Sequence, residues 1–147
     1  MKKFTFPLDT VLGYKEQVLD IKLSEHGKAL SAVNEQEEII TKLLEEYEGH
    51  QKKFKERSAL GVTIVEALGY EAYMSFLGDR IKQEKYKLDD LKRIEESMRE
   101  EVVEAKIETS TIEKLKERKK EEYDKLVQKN EELFIEEFVS NKMASIS

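Results

Sequence analysis

The chain has 147 residues and a formal net charge of −6; 39 % of its residues are charged, and it holds 1 Pro, 6 Gly and no Cys. That mixture suits long amphipathic helices better than a thick-cored globule, and without cysteine a disulfide framework and a thiolate metal site are excluded while a reducing compartment is allowed. No stretch approaches the ~20 apolar residues of a membrane span, and after Lys2-Lys3 the residues Asp9 and Lys15 interrupt what a signal peptide would need as a continuous apolar segment, so the expected address is the cytoplasm with no direct membrane insertion.

The first element is opened by Pro7, whose missing N–H has no intrahelical partner in a first turn, and by Asp9, which meets the positive end of a helix. Steps of seven then give Leu12, Leu19, His26, Val33, Ile40, Tyr47 and Phe54, and an interleaved series four residues later gives Leu23, Leu30, Glu37, Leu44 and Gln51. This is a coiled-coil seam, and it predicts helix one over about residues 8–58, or ~65 Å of stripe at 1.5 Å per residue.

A turn is expected at about 59–63. Gly61 can close helix one in a left-handed conformation, and Thr63 with Glu66 three residues on has the spacing of a capping box. Gly69 and Gly78 weaken the following helix and predict a bend or a separate short helix there. Helix two, about 64–139, carries Leu77, Ile81, Leu88, Leu91, Met98, Val102, Ala105, Thr109, Ile112, Tyr123, Leu126 and Leu133 in steps of three, four or their sums. The expectation is all-α: two long helices in an antiparallel coiled-coil hairpin, one domain over residues 1–147. Helix two is the longer, so its C-terminal part should overhang or pair with the segment near Phe4 and Phe6, and the closing "SNKMASIS" should fray.

Candidate chemistry is sparse. His26 and His50 lie about three heptads apart, tens of ångströms along a helix, so a shared metal site is not expected and His26 is read as a polar seam member that sets register. No phosphate-cradling glycine loop and no nucleophile–base constellation occurs, so neither a cofactor nor an enzymatic activity is expected. The run "EKLKERKKEEYDKL", Glu113 to Leu126, holds six Lys and Arg residues, but Glu113, Glu117, Glu121, Glu122 and Asp124 break up the field that nucleic acid would need. It reads as a solvated helix face or as a protein contact, since Lys116 and Lys119 stand where the heptad asks for apolar residues. After the turn, "YEAYMSFLGDRI" gathers Tyr70, Tyr73, Phe76 and Leu77, which either pack locally or form a docking patch.

In order and spacing, "FTFPLDTVLGYKEQVLD", "YEAYMSFLGDRIKQEKYKLDDL", "EKLKERKKEEYDKL" and "NEELFIEEFVSNK" resemble the flagellar export stalk family FliJ over nearly the whole chain. The resemblance implies a hairpin similar to the central stalk subunit of rotary ATPases. It further implies a non-enzymatic component of the flagellar type III protein export apparatus, peripherally associated with the inner membrane at the flagellar base. Such a stalk inserts into the hexameric ring of the export ATPase, promotes its assembly, contacts the cytoplasmic part of the export gate and engages export chaperones. By the same resemblance the gate contact falls on Phe76 with Tyr73 one turn before it; Arg80 stands at the next position, apolar in the family, and Leu77 or Ile81 could supply the apolar surface instead. Lys116, Arg118, Lys119 and Lys120 are the implied ATPase contacts. The alternatives are the equivalent stalk of a virulence-type secretion system and a purely structural coiled coil; a self-sufficient hairpin is expected to be monomeric when alone.

Overall fold

A computed structural model describes residues 2–146, and among them the regular elements are two helices, α1 (Asp9–Leu60, 52 residues) and α2 (Ile64–Ile146, 83 residues). Pro7 lies in the first turn, where the Asp9 N–H donates to the Phe6 carbonyl (3.1 Å) before the Leu12 N–H reaches Leu8 (2.8 Å) and the α-helical ladder begins. α1 and α2 pack antiparallel, so partners later on α1 meet earlier residues of α2: Lys15 with Glu108, Lys22 with Glu101, His26 with Glu95, Gln36 with Glu84.

The chain divides into two compact units, one formed by residues up to Ile21 together with those from Val103 onward, the other by Lys22–Val102. The second unit contains the reversal. Gly61 adopts φ 97°, a left-handed conformation that costs a residue with a Cβ but not glycine, and its N–H donates to the Ser58 carbonyl at 3.3 Å. Thr63 caps α2: its hydroxyl accepts the Glu66 N–H at 3.2 Å and its carbonyl the Ala67 N–H at 3.0 Å. Leu43, Leu77 and Ile81 form the apolar cluster of this unit, with Tyr47 packed against it. In the first unit Phe6, Leu12 and Ala105 are buried, as is Thr109, whose hydroxyl donates to the Ala105 carbonyl at 2.8 Å and lies 3.3 Å from that of Lys15.

The seam on α1 departs from the expected one by a single residue. Protected positions recur at Leu12, Lys15, Leu19, Lys22, His26, Ala29, Val33, Gln36, Ile40, Leu43, Tyr47, His50 and Phe54, alternating three and four. The seven-residue series therefore lies in the seam, but the interleaved one does not: Leu23, Leu30, Glu37, Leu44 and Gln51 are exposed, and their predecessors occupy the interface. Four past a member of the seven-residue series through Leu12 a residue sits on the flank of the stripe, whereas three past such a member it stays in. Lys15 and Lys22 hold seam places because a lysine can lay its methylenes along an apolar surface and keep its ammonium at the edge.

On α2 the expected stripe holds from Leu77 to Ile112, with Glu84 and Glu95 as additional buried members. Leu126 and Leu133 are outside it, both about half exposed. Gly69 and Gly78 do not interrupt the helix, and α2 continues past the expected end at residue 139 to Ile146. Extending an existing helix adds one hydrogen bond per residue fixed, and no Pro or Gly follows Val139 to stop it, so the final turns form although residues 128–146 are exposed.

The one-residue register is directly testable with adjacent leucines, Leu43 at 8 % and Leu44 at 39 % exposure. Leu43→Ala should cost about 2 kcal/mol or more, as expected for a buried leucine; Leu44→Ala should cost less than about 1 kcal/mol, in line with its remaining exposure. Urea unfolding followed by circular dichroism distinguishes them, and equal losses would contradict the seam described above.

Candidate interaction surfaces

Within the unit that contains the turn, a ladder of rings runs between the helices. Phe54 lies 5.4 Å from Tyr70, His50 lies 6.4 Å from Tyr70 and 4.4 Å from Tyr73, and Tyr73 lies 6.2 Å from Phe76. The Tyr73 hydroxyl donates to the Glu46 carboxylate, a bond that holds the phenolic proton and raises Tyr73 above its ordinary pKa; partial burial and the carboxylate charge act the same way, against a smaller opposing pull from Arg80. Phe76 is the exposed rung, at 57 %. Arg80 is exposed as well. An open cleft of about 410 Å³ beside the ladder is lined by His50, Arg57, Glu66, Gly69, Tyr70 and Tyr73.

Two of the residues offered from sequence as apolar surface are not surface. Leu77 is 2 % exposed and Ile81 7 %, both in the apolar cluster with Leu43. One helical step of ~100° separates Leu77 from Phe76 and takes the side chain from the outer face into the seam. Tyr73, Phe76 and Arg80 are left as accessible members of the set. Sequence reasoning also passed over Leu60, Ile64, Val65 and Leu68 around the turn, exposed at 88 %, 80 %, 80 % and 59 %. The available signal was their position off the heptad, in "ALGVTIVEAL".

In the other unit the basic run is largely engaged by its own chain. Lys116 pairs with Asp9 at 2.7 Å, Lys119 with Glu122 at 3.6 Å and Lys120 with Asp124 at 3.2 Å. The Lys120 ammonium also lies 5.3 Å from the Phe4 ring centre and 5.2 Å from that of Tyr123, while the two rings are 5.5 Å apart. Among the described residues no ion pair is made by Arg118, which lines an open groove with Thr111, Ile112, Lys114 and Leu115.

Polar rungs cross the seam of the turn-containing unit. The Gln36 amide donates to the Glu84 carbonyl at 3.0 Å and to its carboxylate at 2.5 Å; this bond, with help from Lys87, lowers the Glu84 pKa. His26 Nε2 lies 2.9 Å from Glu95 Oε1, and Arg99 donates to both Glu95 oxygens from Nη2 at 2.7 Å. The Arg99 bonds first, and the His26 bond second, hold the Glu95 carboxyl below the ordinary carboxylate range. His26 is thus a seam member, as its heptad position implies. Among the described residues no cluster of acidic, His or Cys side chains could hold a metal ion, and no helix is long and apolar enough to cross a membrane.

The geometry defines a class, the two-helix antiparallel coiled coil with aromatic and basic side chains displayed along its flanks. A protein-family comparison supplies the particular: the model described as "Flagellar FliJ protein" matches residues 3–145. The chain belongs to the FliJ family of flagellar export proteins. Searches of curated proteins and of solved structures return no match.

The lowered Glu95 pKa sets the sign of a pH effect. A carboxyl whose pKa is depressed by folding contributes stability that is present above its unfolded value and is lost as the pH falls through the folded value. The thermal midpoint of the natural protein should therefore exceed that of Glu95→Gln most near neutral pH, and the gap should shrink as the pH drops below the ordinary carboxylate range. A gap that widens on acidification would contradict the Arg99–Glu95–His26 assignment.

Proposed function

We propose that this protein is a non-enzymatic stalk of the flagellar type III export apparatus, working in the cytoplasm and peripherally associated with the inner membrane at the flagellar base. In this reading it docks in the ring of the export ATPase hexamer, promotes ring assembly, and couples the ATPase to the cytoplasmic part of the export gate and to export chaperones. The observation that carries the reading is the family match over residues 3–145. It is supported by two separate displays of side chains suited to protein contact. Phe76 and Arg80 offer an aromatic and a cation beside the ring ladder, and aromatic and arginine side chains supply a disproportionate share of binding energy at interfaces. Arg118 and Lys119 offer positive charge on the basic run, where among the described residues Arg118 has no ion pair to break. Lys116 and Lys120 are committed to contacts with the N-terminal segment and enter a ring contact only by exchanging them. Alone, the protein is a monomer, since α1 already covers the α2 stripe from Leu77 to Ile112; light scattering checks this.

Two variants test the reading on separate surfaces. Arg118→Glu/Lys119→Glu should reduce stimulation and ring assembly of the cognate export ATPase, with binding weakened about tenfold or more through reversed charge. Phe76→Ala should leave that stimulation intact and weaken binding to the cytoplasmic part of the gate by about thirtyfold, the loss of one aromatic hot spot. If the natural protein neither binds the ATPase nor changes its turnover, the stalk assignment is wrong.

A further inference from the structure

We propose that residues 2–6 form a displaceable strap over a docking groove on α2, and that the groove accepts a partner segment with the chemistry of the strap and of Asp9 just after it, two large aromatic side chains followed by a carboxylate. α1 begins at Asp9, which faces Lys116 on α2. Protected positions on α2 nevertheless continue beyond Lys116, at Tyr123 and Val127, and at Tyr123 the element packed on α2 is an irregular segment rather than a helix. Phe6 is 6 % exposed, as buried as the core residues of the seam. Phe4 rests against Tyr123 under the Lys120 ammonium, and the Tyr123 hydroxyl donates to the Lys2 carbonyl at 2.5 Å.

An extended strand advances ~3.3 Å per residue, so residues 2–6 cover roughly 16 Å, about the length of α2 from Leu115 to Leu126, roughly 16 Å of helix. The fit is incomplete. A groove of about 530 Å³ runs between Phe4, Phe6, Leu115, Lys119, Tyr123 and Leu126, and another of about 380 Å³ between Phe4, Lys116 and Lys120. Among the described residues one hydrogen bond, from the Tyr123 side-chain hydroxyl to the Lys2 carbonyl, joins the strap to α2. Removing α1 from α2 would unzip the seam, whereas lifting residues 2–6 leaves the Leu12–Leu8 bond of the helical ladder in place, breaks the single turn bond from Asp9 to the Phe6 carbonyl, and releases a few side-chain contacts and the ordering entropy of five residues. The chemistry of the contact names the ligand: aromatic rings for Tyr123, Leu115 and Lys120, and a carboxylate for Lys116. A strap that closes the groove for most of the time lowers apparent affinity by the fraction that is open.

The test uses full-length protein and a fluorescent peptide of the sequence KKFTFPLDT, residues 2–10. Three forms are titrated: natural; Phe4→Ala/Phe6→Ala; and Thr5→Cys/Glu122→Cys bridged by a bismaleimide, which is site-selective because the chain has no Cys. The peptide should bind the alanine form at least about tenfold more tightly than the natural form, because the open fraction rises, and should not bind the bridged form. Asp9→Asn, which removes the Lys116 pair without touching the phenylalanines, should shift binding in the same direction and carries the test if the alanine form loses helicity. Equal affinity for all forms, or binding to none, overturns the strap. The partner arm rests on the stalk reading: the same forms are mixed with the export ATPase. The expected peptide pattern with no ATPase complex in any form supports the strap and removes only the stalk reading.

Discussion

Everything in this molecule depends on a stripe one or two residues wide. Each helix offers protected positions spaced alternately three and four, and each is too polar elsewhere to bury anything more, so the only cover available to α1 is α2. Among the described residues Leu77, at 2 % exposure, is the most completely buried large side chain. Such a seam gains little from any single contact and must gain from length and from being in one register. The polar rungs supply the register. Gln36 on Glu84 and His26 on Glu95 are satisfied only at the observed offset, and a slip of one heptad would leave buried amide and carboxylate groups facing aliphatic side chains. Apolar pairs such as Val33 and Ile40 with their partners would tolerate that slip far better.

The periodicity made much of this fold legible before any coordinates. Leu12, Val33, Ile40, Leu77, Val102 and Ala105 announce themselves by spacing, and Gly61 with Thr63 announces the reversal by backbone chemistry. What stayed hidden was which of two adjacent apolar residues enters the seam. Leu43 and Leu44 are chemically identical, and a seven-residue repeat is better satisfied on hydropathy by the series through Leu44, which holds Leu23 and Leu30, than by the one through Leu43. The correct series contains Lys15, Lys22, Gln36 and His50, which argue against themselves on hydropathy alone. They become sensible only when the partner helix is known, because Glu108, Glu101 and Glu84 receive three of them and the ring of Tyr73 receives the fourth. A polar seam member is a property of a pair, and one helix read in isolation carries half of the pair.

The candidate surfaces divide along the same line. Phe76 and the basic residues 114–120 are visible in the sequence as types that bind, but Leu77 shows that type does not place a side chain. Leu60, Ile64, Val65 and Leu68 show the converse, apolar residues left in solvent because the turn interrupts the stripe that would have covered them. With the seam spending so few positions on cohesion, most of the surface is free to vary for contact, which is how a thin two-helix scaffold can carry more than one interface.

The basic run illustrates what that freedom costs. Its cations look available in the sequence, yet Lys116, Lys119 and Lys120 each have an acid of the same chain within 4 Å, and Lys120 also lies over two rings. Exposed pairs of this kind contribute little to stability, so their effect is better sought in what they do to competitors. A partner carboxylate gains only the difference between its own contact and the internal one it replaces, and that difference rewards a ligand that also displaces the aromatic anchors beside the pair. Charge alone would then bind weakly and unselectively; charge joined to a correctly spaced apolar group would bind well. On those grounds the mixed sequence of Lys, Arg, Glu and Asp from Glu113 to Leu126, which the sequence alone reads as a solvated face or a protein contact, would disfavour simple polyanions and favour an aromatic-bearing partner.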